Sequence, residues 1–172
     1  NESAWTASWS FSVVVIITAE TVFTTGWNMF SLPVDPSQVG NNFIDDAVLG
    51  DEFPGGEGLF IFWYNPVTGG YLMWTSGTPV FDAEMGKGYW LKVLTDTPMD
   101  ATGYPAPDED YVISLGIGWN QIGQPHNFSV DLGNVMVYNP AEPGLGQVTV
   151  EQAHALGWLV KFIYSYNPVT GG

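Results

Sequence analysis

Few residues in this chain are equipped for chemistry. It holds two histidines, His126 and His154. His126 falls in a turn after Pro125 and His154 on a predicted short helix. Either imidazole could serve as a base, but both settings fit a structural or surface role better. Carboxylates come in adjacent groups, Asp45-Asp46, Asp51-Glu52 and Asp108-Glu109-Asp110, whose hard oxygens suit calcium. None has the EF-hand spacing, so solvated loop charge is the simpler reading. The chain has no Gly-x-Ser-x-Gly elbow, phosphate loop or His-Glu-x-x-His motif, the patterns that build a nucleophile, a nucleotide site or a zinc site. Cysteine is absent, which removes disulfides and thiolate metal sites. No catalysis is expected, and no cofactor or metal is called for. Two N-glycosylation sequons occur, Asn127-Phe128-Ser129 and Asn1-Glu2-Ser3. The aromatics offer a binding reading: Trp27, Trp63, Trp74, Trp90, Trp119 and Trp158 include enough flat surface for a sugar platform. Trp63 and Trp74, which flank an Asn-Pro turn, are the candidates most open to solvent. Most of these tryptophans lie in strand-like words, where core or subunit packing also accounts for them.

The elements that must position these residues are short strands. The 172 residues are 45% apolar, with 8 Trp, 8 Tyr and 10 Phe, ample for a core. With 21 Gly and 12 Pro, turns are dense, which favours strands over long helices. Three basic residues against 18 acidic ones give a net charge of −15. Such a surface repels nucleic acid and anionic lipid headgroups. The seven-residue apolar run at 13–19 is far below the roughly 20 residues of a membrane span, and the sequence opens at Asn1 without a basic n-region, so no signal peptide is expected within it.

From Trp5 onward, Trp5, Ala7, Trp9, Phe11, Val13, Val15 and Ile17 alternate with Thr6, Ser8, Ser10 and Ser12. This is a period-2 strand with one apolar face, about 43 Å long if fully extended. Gly26-Trp27-Asn28 then recurs 92 residues on as Gly118-Trp119-Asn120, and Tyr64-Asn65-Pro66-Val67-Thr68-Gly69-Gly70 recurs 102 residues on as Tyr166–Gly172. Both words recur in the same order, so the sequence reads as an internal duplication with about ten extra residues in the second copy. Between the words each copy carries a predicted helical piece. In the first, Asp35 caps and Pro36 opens a helix toward Val48. In the second, Thr149-Val150-Glu151-Gln152 is a capping box, with Gly157 just past the end. Leu59–Tyr64 and Leu159–Tyr166 read as strands. The first copy alone continues into Tyr71–Trp74 and Gly86–Val93. Residues 95–110, rich in Pro, Asp and Thr, read as a linker.

These words resemble a β-rich repeat of secreted bacterial and archaeal proteins, which runs from a Gly-Trp-Asn strand through an Asn-Pro-x-Thr-Gly turn to a Gly-x-Gly-Tyr-Trp strand. The first copy matches at Gly26–Asn28, Asn65–Gly70 and Gly86–Trp90. The second matches at Gly118–Pro125 with Asn127-Phe128, at Glu151–Leu159 and at Tyr164–Gly172. The resemblance covers most of residues 21–172. It implies an extracellular or cell-surface β-module and says little about function.

The expected fold is all-β: two tandem β-sandwich-like modules with short helical inserts and a protruding N-terminal strand. The divisions are a donor strand at 1–20, a first module at 21–94, a linker at 95–110 and an incomplete second module at 111–172. A sheet short of a strand leaves an apolar groove and unpaired backbone that something must cover. The expectation is a head-to-tail homopolymer, a pilus-like filament in which Trp5, Ala7, Trp9, Phe11, Val13, Val15 and Ile17 enter the second module of the next subunit. Trp119, Ile122, Phe162, Tyr164 and Tyr166 would line the acceptor, and Asn127 would carry any glycan. Burial of the donor's apolar face would supply on the order of 10 kcal/mol before entropy costs. The alternative is a self-contained tandem surface module in which the strand closes its own chain, with carbohydrate as a ligand.

Overall fold

The computed structural model describes residues 15–37, 39–56, 58–76, 80–107, 110–160 and 164. Its regular structure is almost all strand, arranged as three antiparallel sheets among the described residues. Strands β1 (Ile17–Phe23), β2 (Gly26–Ser31) and β3 (Val34–Asp35) open the chain. After a turn-rich loop come β4 (Phe60–Asn65), β5 (Gly70–Trp74), β6 (Gly88–Val93) and β7 (Thr97–Pro105). A hairpin, β8 (Met136–Tyr138) with β9 (Gln147–Thr149), leads into the helix α1 (Val150–Ala155). The sheet orders are β1-β7-β3, β2-β6-β4-β5 and β8-β9.

The first two sheets share one core. Phe23, Val34, Met99 and Ala101 come from the three-stranded sheet, and Ile61, Trp74, Tyr89, Leu91 and Val93 from the four-stranded one. Alternation along each strand delivers one side chain in two to this interface. Phe43, from the loop after β3, plugs the middle and meets Phe30, Trp74, Phe81 and Tyr89 edge-on or nearly so, with centroids 5.0–6.2 Å apart. Tyr89 keeps its hydroxyl satisfied inside the core. The Oη accepts from the Glu84 N–H at 2.9 Å and lies 3.2 Å from the Glu84 carbonyl. Burial holds its phenol well above the usual tyrosine range.

Two segments differ from their sequence-based reading. Residues 97–105 are no linker: β7 is the middle strand of its sheet, paired along its length with β1 and at its end with β3. Of its inward residues, Met99, Ala101 and Gly103, only Met99 is large, and Pro98 and Pro105 sit near its ends, where a missing N–H is tolerated. The helix expected after Asp35 is absent among the described residues, which form turns there. Asp35 Oδ1 does accept from Ser37 N at 2.9 Å, and the Pro36 carbonyl accepts from Gly40 N at 2.7 Å, but the turn goes no further. Asn42 and Asp45 then cap their own local turns through Ile44 N and Ala47 N, which competes with helical bonding. The capping box of the second copy forms as read, with Thr149 Oγ1 accepting from Gln152 N and Gln152 Oε1 accepting from Thr149 N.

Candidate functional site

The repeated Gly-Trp-Asn word builds the same local loop twice. In the first copy Asn28 folds back. Its Oδ1 accepts from Thr24 N at 3.1 Å, and its Nδ2 donates to the carbonyls of Thr24 (2.8 Å) and Gly26 (3.2 Å). In the second, Asn120 Oδ1 accepts from Gly116 N at 2.8 Å, and Nδ2 donates to Gly116 (2.9 Å) and Gly118 (3.0 Å). Gly26 and Gly118 have φ of 110° and 95°, values that side chains disfavour, which explains glycine at the head of the word. The asparagine spends its amide on the backbone groups that the turn would otherwise leave unpaired.

The tryptophan of each word meets an aromatic two residues before the tyrosine of the later Tyr-Asn-Pro word. Trp27 and Phe62 have centroids 5.7 Å apart at 55°. Trp119 and Tyr164 are 5.7 Å apart at 54°. In the first copy these rings reach across an occupied strand: β6 lies between β2 and β4, with Lys92 beside Trp27 and Trp90 beside Phe62. Around the second pair, the described residues bury little. Among residues 111–160 and 164 the buried side chains are Pro125 and Ala153, while Ile117, Trp119, Phe128, Met136 and Tyr138 stand in solvent. Trp119 is 59% exposed and Tyr164 74%.

The remaining acceptor candidates divide. Ile122 is exposed and forms a β-bridge with Lys87; Phe162 and Tyr166 lie outside the described residues. That bridge is the junction between copies. Gly88 N donates to Gln121 O (3.2 Å), Gly123 N donates to Gly86 O (2.9 Å), and Gln121 Oε1 accepts from Tyr64 N (3.0 Å), where β4 has parted from β6. Ser31 Oγ adds a bond to Gln124 O at 3.1 Å.

Of the expected donor residues, Trp5, Ala7, Trp9, Phe11 and Val13 lie outside the described residues, and Val15 is exposed. Ile17 belongs to β1, which pairs with β7 of its own chain from Ile17↔Gly103 to Phe23↔Thr97. Ile17 and Ala19 pack on the first module's core. The boundary placed at residue 20 therefore falls inside a strand of the first module.

The sugar-platform candidates change places. Trp74 is 1% exposed and belongs to the core. Trp63 packs against that core and Phe81, with Lys87 Nζ 4.4 Å from its ring centroid. The outward aromatics are instead Trp27, Phe60 and Tyr71, with Trp90 and Phe62 half-buried among them. Sequence reasoning missed this face, although the alternation in β2, β4 and β6 contains it. Asn127 is exposed. His126 stacks on Phe128 at 4.7 Å, and His154 Nδ1 lies 3.1 Å from the Leu159 carbonyl oxygen, both contacts of a structural kind.

Asp51 and Glu52 are joined by Asp100, which the sequence did not single out. One carboxylate oxygen from each lies within 4.8 Å of the others. Glu52 Oε1 accepts from Asp100 N at 2.9 Å, while Oε2 is buried without a partner. Burial pushes the Glu52 carboxyl up, the Asp100 N–H pulls it down, and Asp51 pushes it up again, leaving it near 7. The folded protein thus holds this proton more tightly than the unfolded chain. The resulting stabilisation is full below the usual glutamate range and is lost as pH rises through about 7. Urea midpoints of the wild type and of Glu52→Gln between pH 4 and 8 should diverge. The wild type is expected to lose about 1–2 kcal/mol relative to the variant, after discounting for partial solvation. Parallel curves would show the carboxyl to be unperturbed.

No family model matches this chain, and neither do any curated protein or solved structure. No described helix is long and apolar enough to cross a membrane.

Proposed function

We propose that this chain is a non-enzymatic structural subunit of an extracellular assembly, and that its second module is completed by a strand added in the position β6 holds in the first. The observation that carries the reading is the repeated aromatic pair. Trp119 and Tyr164 stand as Trp27 and Phe62 do across β6, and the apolar side chains around them are exposed. The β6 sequence, Gly-Tyr-Trp-Leu-Lys-Val, shows what such a strand brings: Tyr89, Leu91 and Val93 inward and Trp90 between the flanking rings. The alternating sequence from Trp5 to Val13 has the same character, and it precedes β1, an edge strand of the three-stranded sheet. A strand of another copy in that slot gives head-to-tail assembly.

One observation favours the closed alternative. Ile17 and Ala19 already pack on the chain's own first module. Deletion of residues 1–14, which leaves β1 whole, separates the two. The full chain is expected to form filaments visible by electron microscopy, the truncated chain to form none, and a peptide of residues 4–16 to bind the truncated chain. A truncated chain that still assembles, or a full chain that stays monomeric at all concentrations, would sink the proposal.

A further inference from the structure

The four-stranded sheet has a second face. Its pairing aligns side chains in rows across the strands: Met29, Trp90, Phe62 and Met73 in one row, Trp27, Lys92 and Phe60 in the next, Tyr64 and Tyr71 in a third. Trp27, Met29, Phe60, Tyr71 and Met73 are exposed. The chain carries 18 carboxylates and three basic side chains, yet these rows contain no acid and one of the lysines. Lys92 lies 5.8 Å from the Trp27 ring centroid.

We infer that this face is a contact between two copies of the chain, packed sheet against sheet about a twofold axis. Electrostatics points to a second copy. Two molecules of charge −15 repel wherever carboxylates meet, so the acid-free apolar face is where copies approach at least cost. The ring geometry agrees. Trp27 and Trp90 are perpendicular at 6.3 Å, Tyr64 and Tyr71 cross at 73°, and Trp90 Nε1 donates to Tyr71 Oη. These interlocked rings present ridges that fit another sheet's side chains, whereas a sugar wants a flat ring with free polar groups beside it. The face spans about 19 Å by 17 Å at ordinary strand spacings. That is small for a stable dimer, so the expected dissociation constant is about 10–100 μM. Repetition along an assembly would strengthen it through multivalency.

The test is sedimentation of the full chain over a concentration series, with electron microscopy alongside. Wild type is expected to pair, or to bundle side by side if it polymerises, and more so at 500 mM salt than at 50 mM, because the Debye length shrinks about threefold and screens the repulsion between like-charged copies. Met73→Asp should weaken pairing at least tenfold or leave filaments single. Val67→Asp, on the exposed β4–β5 turn, should change nothing. The inference is overturned if Met73→Asp pairs like wild type, if Val67→Asp matches its loss, or if salt weakens pairing. Quenching of tryptophan fluorescence by a neutral polysaccharide, lost in Met73→Asp, would assign the face to glycan instead. End-to-end assembly lost on removing residues 1–14 is a separate readout, so either proposal can fail alone.

Discussion

Replacing Phe43 with alanine is expected to lower the stability of the first module by about 3–5 kcal/mol. The side chain is fully buried and touches four other rings, with Tyr89 closest at 5.0 Å. Its neighbours come from β2, β5, β6 and the loop before β6, all fixed by their own strands or turns. They cannot close around the void, so a cavity cost adds to the lost burial and to the edge-to-face contacts. Urea denaturation followed by near-ultraviolet circular dichroism would read both the loss and the loosening of the aromatic cluster. Phe43→Leu should recover most of the difference. A loss below about 1 kcal/mol for the alanine variant would mean that the loop does not seat Phe43 in the core.

Replacing Gly123 with alanine is expected to disrupt the junction between copies, at a cost of about 1–3 kcal/mol. A Cβ there would overlap the Lys87 carbonyl oxygen and the Ser31 Cβ. One is backbone and the other is fixed to β2, so neither can move aside as a flexible side chain would. Relief requires residues 121–123 to lift away from residues 86–88, which breaks the Gly88–Gln121 and Gly123–Gly86 hydrogen bonds. Hydrogen exchange at the Gly88 and Gly123 amides should rise sharply, while amides of β1 and β7 keep their protection. Gly144→Ala, at a site with nothing within 4 Å, is the matched control and should be silent. If both variants behave alike, residues 121–123 are not held against the first module.

Local instructions in this chain were legible, because they act over a few residues. Alternation marked β2, β4, β5 and β6. The Thr149–Gln152 capping box placed α1 at its start, since both partners lie within one turn. The repeated Gly-Trp-Asn word returned the same asparagine-bridged loop twice, because a positive φ and an i−4 hydrogen bond depend on little beyond the word itself. Alternation could not say which face of a doubly aromatic sheet meets the core. Trp74 is buried and Trp27 is open because β1, β7 and Phe43 cover one side of the four-stranded sheet, and those partners come from distant parts of the chain. Distance also hid β7, whose inward Met99, Ala101 and Gly103 gain burial from β1 and β3, about 70 to 90 residues earlier. It hid Asp100, which joins Asp51 and Glu52 when that strand forms. The sequence by itself determined β2, β4, β5 and β6, the repeated loops and the absence of a catalytic motif. The tertiary structure decided which aromatics form the core and which stay exposed, since burial belongs to the pairing of elements and not to any one of them.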